Sequence, residues 1–277
     1  MTRPPFAYFG GKSILAPRIA AALPPHRHYV EPFAGSLAVL LAKPPSLMET
    51  VNDLDGAIVN FWRVLRDRPQ DLARVCALTP HSRAEFESSA EVDAGDELEQ
   101  ARRLFVRLTQ GRSGRLKRAG WRHYVSPSTV STAFPSYLDG YVDRMAAAVE
   151  RLHHVTLECR PALEIIERYG ACDDVLLYVD PPYLGSTRAN DRSYRHELMS
   201  DGEHRVLAEA LRACRAAVVL SGYPSELYDE ELYSDWHRAT FTTGTGQGAD
   251  GSGWSNRTEV LWCNRRPHPS LFDLEAS

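Results

Sequence analysis

An aspartate, two prolines and a tyrosine, Asp180-Pro181-Pro182-Tyr183, directly follow the apolar run Val175 to Val179. Proline fixes φ and carries no N–H, so this segment presents rigid carbonyl oxygens beside a carboxylate and an aromatic ring. The combination suits a planar base bearing an exocyclic amine. Asp180 and the Pro181 carbonyl can accept the two amine protons, and the Tyr183 ring can stack on the base. A Pro-rich turn at a strand end is the plain structural alternative, but the full tetrapeptide after a buried strand is more specific than that.

Two other segments carry chemistry. Tyr29-Val30-Glu31-Pro32-Phe33-Ala34-Gly35-Ser36 reads as a strand running into a glycine turn and then a helix. Such a turn lets a ligand approach the backbone at the carboxyl end of a strand. Glu31, at the strand end, can accept from a cationic amine; a turn in which Gly35 serves packing alone fits this segment equally well. Asp53 comes 22 residues after Glu31, at the end of the next strand. A carboxylate at about that spacing suits a ribose diol. Asp55 is the better helix cap, which leaves Asp53 for the ligand. Gly246-Gln247-Gly248-Ala249-Asp250-Gly251 matches a dinucleotide fingerprint by letters but is followed by loop, not helix, and is discounted.

The elements that must position these residues follow from the pattern. Ser13 to Ala22 reads as a helix stopped by Pro24-Pro25, and His28 to Glu31 as a strand. Ser36 is a fair cap for a helix from Leu37 to Ala42, Met48 to Asn52 is a second strand, and Asp55 to Arg66 is a helix with Ile58, Val59, Trp62 and Leu65 on one face. This alternation predicts an α/β fold with a parallel sheet. Residues 69–153 change character, with helical patterns at 69–78, 96–110 and 136–152 around a loop at 111–135. They read as an inserted, mostly helical lobe between the two parts of a core domain, 1–68 and 154–277. The α/β pattern then resumes with strands at 155–157, 175–179, 216–220, 236–242 and 258–263, and helices at 162–169 and 201–214. Residues 244–253 read as a glycine-rich hairpin tip. Trp62 and Trp236 read as core side chains.

The formal net charge is -4 over 277 residues, but the charge is unevenly placed. Residues 101–125 hold eight basic side chains and no acidic one, while residues 84–100 hold seven acidic and no basic. A local phosphate-binding face has this form. A solvated arginine-rich face is the even alternative on charge alone, since the chain has 29 Arg against 3 Lys. The interleaved Gly111, Ser113, Gly114, Gly120 and Trp121 favour a nucleic-acid-contacting loop. Five widely spaced cysteines form neither a C-x-x-C pair nor a metal cluster, and no apolar run reaches the length of a membrane span. The N-terminus lacks a signal-peptide apolar region. A cytoplasmic chain without a membrane partner is expected.

Taken in order, Tyr8-Phe9-Gly10-Gly11-Lys12, Glu31-Pro32-Phe33-Ala34-Gly35, Asn52-Asp53 and Asp180-Pro181-Pro182-Tyr183 resemble the D12 class of adenine-specific DNA methyltransferases, the Dam-like family. Leu220-Ser221-Gly222-Tyr223 and Arg257-Thr258-Glu259-Val260-Leu261-Trp262 are similar to its late segments, so the resemblance spans about residues 6 to 264. It implies a Rossmann-like methyltransferase sheet, S-adenosylmethionine as methyl donor and N6 of a flipped adenine in double-stranded DNA as acceptor. By motif, Tyr8 and Lys12 are expected at the methionine end of the cofactor, Glu31, Phe33, Gly35 and Asp180 around it, and Asp53 on its ribose. Asp180, Pro181 and Tyr183 are expected to hold the target base. Arg112, Arg115, Lys117, Arg118, Trp121 and Arg122 would belong to the target-recognition lobe, with Arg188, Tyr194 and His196 in a loop near the DNA. No metal is implied, and a monomer is expected. N4-cytosine methylation and a catalytically silent DNA-binding subunit are the rival readings, and a cognate restriction endonuclease is left open. Two departures stand out: the basic lobe lacks the pattern of GATC-reading members, and Glu158-Cys159-Arg160-Pro161 stands where an Asp near the base is expected, with Glu158 as candidate substitute.

Overall fold

The computed structural model describes residues 2–93, 95–117, 119–123, 134–183, 200–245 and 255–266. Seven strands form one sheet in the order β3-β2-β1-β4-β5-β7-β6. They are β1 (His28–Glu31), β2 (Met48–Asn52), β3 (Val155–Glu158), β4 (Val175–Val179), β5 (Ala217–Gly222), β6 (His237–Thr245) and β7 (Ser255–Cys263). The first five run parallel, and β7 enters antiparallel to both β5 and β6. From β1 the chain winds outward through β2 to β3; from β4 it winds the other way to β5. The order therefore reverses between β1 and β4, and in open α/β sheets ligands bind at the carboxyl ends of the strands flanking such a reversal. Glu31 ends β1, and Asp180 directly follows β4.

Strand alternation sorts side chains to two covered faces. Tyr29, Leu176, Tyr178 and Val219 pack into one apolar cluster, while Val30, Leu177, Val179 and Leu220 pack into the other. The second face is covered by α8 (Ala162–Gly170), α9 (Asp201–Arg212) and a π-helical turn, Leu227–Leu232. The first face carries α1 (Ala16–Ala22), α2 (Ala38–Ala42) and α3 (Gly56–Asp67). Next come α4 (Pro69–Leu78), the short α5 (Arg83–Ser88), α6 (Glu97–Gln110) and α7 (Phe134–Leu152). Side chains of α4, α6 and α7, among them Leu72, Leu104, Phe105 and Met145, share one apolar cluster with Phe61 and Trp62 of α3. The helices between residues 69 and 153 are thus built onto α3 through a continuous core.

Several local expectations shift. The first helix starts at Ala16 rather than Ser13, because Pro17 lies in its first turn and has no N–H to place further inside. Ser36 does not cap α2: the cap position is Leu37, fully buried and held left-handed at φ 54°. A non-glycine residue in that region is strained and persists only where its surroundings fix it. Asp55 does cap α3, its side chain accepting from the Ala57 N–H at 3.0 Å. The fifth strand runs on to Gly222 and so brings Ser221 into the sheet.

A buried charge cluster ties the helical region to the sheet. Glu49 of β2 accepts from Lys43 Nζ at 2.6 Å and from both terminal nitrogens of Arg151 at the end of α7. Hydrogen bonds from Arg151 and Lys43 outweigh burial and hold the Glu49 carboxyl below the usual range. A depressed carboxylate stabilises the fold above its unfolded-state value and loses that contribution as pH falls through its folded value. Glu49→Gln leaves Lys43 buried beside a neutral group, and breaking such a cluster from one side costs about 3–5 kcal/mol. Urea unfolding at pH 7 is expected to show a loss of that order, and the difference between wild type and variant is expected to shrink below about pH 4.

Candidate active site

A cavity opens at the carboxyl ends of β1, β2 and β4. It is lined by the Tyr8–Lys12 segment, by Glu31 through Ser36, by Asp53 through Asp55, and by Tyr178, Asp180 and Pro182. The three sequence segments singled out for chemistry, far apart in the chain, therefore meet in one place. Pro182 faces the cavity, whereas Pro181 is buried and does not line it.

The turn after β1 is built from β2. The Ala34 N–H donates to the Asn52 carbonyl at 2.8 Å, and the Gly35 N–H donates to Asp53 Oδ2 at 2.9 Å. Asn52 Nδ2 donates to the Pro32 carbonyl at 2.9 Å and to the Arg160 carbonyl at 3.0 Å, while its Oδ1 accepts from the Arg160 N–H at 2.8 Å. Asn52 thus clamps the turn to the segment after β3, a role that its position beside Asp53 did not disclose. The Gly35 carbonyl accepts from Trp62 Nε1 at 3.0 Å, so Trp62 is a core residue that also fixes the turn. Gly35 itself is left-handed at φ +46°, and a Cβ there would lie 2.9 Å from the Tyr8 ring. Glycine serves both needs here, an unusual φ and a close approach.

The carboxylates differ in setting. Asp53 is not idle: Oδ2 accepts from the Gly35 N–H and Oδ1 from the Asp55 N–H, and the Leu54 N–H also bonds to the carboxylate. Burial pushes its carboxyl up to about 6 despite these bonds. Glu31 is almost fully buried and accepts from the Tyr29 hydroxyl at 2.9 Å; burial lifts it to about 8.

At the centre stands Lys12. Its ammonium donates to Asp180 Oδ1 at 2.8 Å and Oδ2 at 2.9 Å, to the Gly10 carbonyl at 3.0 Å and to the Tyr183 hydroxyl. The lysine side chain is 5% exposed and that of Asp180 18%, so the pair is largely desolvated but the carboxylate reaches the cavity. Burial, with Glu259 adding to it, raises the Asp180 carboxyl to about 6 even though Lys12 opposes the rise. The Tyr183 hydroxyl donates to Glu259 Oε1 at 2.8 Å, and Ser221 Oγ donates to the same oxygen at 2.8 Å. The mostly covered Tyr183 ring stands 4.3 Å from that of Tyr223. In the sequence, Glu259, Ser221 and Tyr223 stand out only as parts of late motifs. The signal available in sequence was an ionisable residue, Glu259, directly before the apolar run Val260-Leu261-Trp262.

The basic loop lies next to the glycine segment. The Phe9 N–H donates to the Gly114 carbonyl at 2.9 Å, and the Arg115 guanidinium sits 4.5 Å over the Phe9 ring. Gly111 and Trp121 form a bridge, with Arg112 and Arg122 N–H groups bonded across it. The Trp121 ring stacks on those of His81 and His123, with the Arg83 guanidinium 4.7 Å over it, and Arg122 covers Tyr137. Arg112 and Lys117 are exposed. Arg118, Arg188, Tyr194 and His196, and the 246–253 part of the glycine-rich tip, lie outside the described residues. Glu158 sits at the end of the edge strand β3, its carboxylate 3.5 Å from the Tyr169 hydroxyl, and is not among the residues lining the cavity. Among the described residues there is no cluster able to hold a metal and no helix long and apolar enough to cross a membrane. All five cysteines are free.

The cavity fits S-adenosylmethionine in chemical terms. The glycine turn exposes backbone, Asp53 offers acceptors for a diol, and the carboxyl groups of Glu31 and Asp180 line the same wall. Gly35→Ala introduces a Cβ into the Tyr8 ring and strains the turn; isothermal titration is expected to show at least about a tenfold weaker affinity for the cofactor, equivalent to 1.4 kcal/mol.

Comparison with solved structures brings up 32 chains, among them two of low identity. One is a precorrin 8w decarboxylase from Methanobacterium thermoautotrophicum, at 12% identity over 95% of this chain and 98% of that one, with TM-score 0.39. The other is an S-adenosylmethionine-dependent methyltransferase from Agrobacterium tumefaciens, at 12% identity over 91% of this chain and 60% of that one, with TM-score 0.36. A comparison with curated proteins gives no match. The family model for D12 class N6 adenine-specific DNA methyltransferases matches residues 8–242, from the tyrosine that packs on Gly35 into the outermost strand β6, and the chain belongs to that family.

Proposed function

We infer that this chain, as an S-adenosylmethionine-dependent DNA adenine methyltransferase, acts on an adenine extruded from the duplex into the cavity beside Gly35. The observation that carries this reading is the position of Asp180. Its partly exposed carboxylate stands at the strand-order reversal, on the wall of the cavity that the glycine turn frames.

The cofactor supplies a methyl group already activated by the positive charge on sulfur. The difficulty lies with the nucleophile, because the lone pair of adenine N6 is delocalised into the ring. A hydrogen bond from N6 to Asp180 favours a pyramidal nitrogen whose lone pair points at the methyl carbon, while the Pro181 carbonyl, expected as a second acceptor, lies outside the cavity lining. Glu31 and Gly35 frame the cofactor, Asp53 takes its ribose, and Tyr8, Phe33 and Lys12 close the remaining wall. A base inside a duplex cannot reach this cavity and must leave the stack, at a cost of a few kcal/mol. The Tyr183 ring, expected to stack on the base, is mostly covered and lies outside the cavity lining, so that Asp180 is the base-holding group that faces the cavity. The exposed Arg112 and Lys117, with Arg115, Trp121 and Arg122, form the DNA-facing loop.

The reaction needs Asp180 as an acceptor, hence ionised. With its carboxyl raised to about 6, the rate is expected to fall as pH drops through that value and to level off above about pH 7. Asp180→Asn keeps the shape but turns one acceptor into a donor. It is expected to lower methylation at least about 1,000-fold while calorimetry shows cofactor affinity within about threefold of wild type, a loss confined to the transition state. Equal loss of both would refute this division of roles. Lys117→Ala is expected to reduce the slope of log affinity against log salt by about one, with little change in sequence preference. Expression in a methylation-deficient host, followed by sequencing that detects modified bases, identifies the base and its context. Modified cytosine would favour the N4 reading, and a folded chain that binds DNA but modifies nothing would favour a silent subunit. Digestion by neighbouring nucleases in the same host tests for a cognate restriction partner.

A further inference from the structure

The base-holding carboxylate is already occupied. Asp180 carries a two-pronged contact from Lys12, yet under the proposed function it must also accept from the target amine. A 5%-exposed ammonium that lost its partner would be left uncompensated in a medium that solvates it poorly. A second carboxylate stands beside Lys12, outside the cavity lining. Glu259 Oε1 lies 3.5 Å from Lys12 Nζ, and its side chain is 7% exposed. Ser221 and Tyr183 both donate to that same oxygen and hold it in place.

We propose that Glu259 is a positioning residue of the methyl-transfer site, a standby counter-ion that takes up Lys12 when the target amine claims Asp180. The inference rests on the proposed role of Asp180. Two carboxylates share one ammonium in the free protein. A small shift of Lys12 toward Glu259 frees an Asp180 oxygen and keeps the cation paired throughout. Tyr183 is the hinge of this exchange, because its hydroxyl accepts from Lys12 and donates to Glu259. The charged and titratable groups facing Asp180 are Lys12 from the glycine segment, Tyr183 from its own turn, Glu259 from β7, Glu31 from β1, Tyr178 from β4 and Tyr228 from the π-helical turn.

Glu259→Gln is the test, because glutamine keeps an acceptor for Ser221 and Tyr183 and removes only the charge. Single-turnover methylation of a duplex bearing the sequence that the wild type modifies is expected to slow roughly 10- to 100-fold. Cofactor affinity and thermal midpoint are expected to stay near wild type. The acid limb of the pH–rate profile is expected to move to lower pH, since a negative neighbour of Asp180 has gone. Glu259→Asp is expected to recover part of the rate. An unchanged rate and an unmoved limb would overturn the role of Glu259, as would a rate that falls only in step with folding or cofactor affinity. A wild-type chain that modifies no DNA overturns the proposed function and this inference with it, whereas an active wild type matched by Glu259→Gln removes the inference alone.

Discussion

The buried ion pair between Lys12 and Asp180 is the constraint on which the site depends. A lysine 5% exposed must be paired, and the nearest carboxylates come from segments 168 and 247 residues away in sequence. To satisfy it, the glycine segment must fold over the ends of β1 and β4. That requirement fixes Gly10 and Gly11 as the compact backbone that lets Lys12 turn back toward the sheet, and it brings Tyr8 onto Gly35. Isolated buried ion pairs contribute little net stability, because desolvation offsets attraction. The pair is better understood as a specifier of geometry than as a source of stability.

The rest of the architecture supplies rigid anchors for that geometry. β2 holds the turn after β1 through Asn52 and Asp53, and α3 holds it from the other side through Trp62. The left-handed turn at Gly35 is fixed by these bonds. The helices at 69–153 then carry the basic loop against the same segment, with Gly114 bonded to Phe9 and Arg115 over its ring. Groups suited to phosphate and groups around the cofactor cavity therefore share a backbone hydrogen bond. The Glu49 cluster, at the opposite end of β2 from Asp53, locks the last of these helices to the sheet.

Much was legible in the residues themselves. The alternation of apolar runs gave the parallel strands because a strand covered on both faces needs a continuous apolar run, and Val175 to Val179 is one. The cap at Asp55 was readable because a short acid before an amphipathic run has one favourable use. The cap at Ser36 was misread, since the turn is governed by Asp53 and Trp62, both remote in sequence. The short α5 and the π-helical turn lack a strong period and escaped notice for that reason.

Local chemistry alone determined the strand ends, the proline corner with its carboxylate, the glycine turn and the uneven charge, since each depends on neighbours a few residues apart. Tertiary structure alone decided which carboxylate faces which cation. Nothing near Glu259 in the chain announces that Ser221 and Tyr183 will donate to it, nor that Asn52 will bridge two loops. Such partnerships arise from the order of strands in the sheet, and a buried polar group acquires its meaning only when folding has removed water and named its partners.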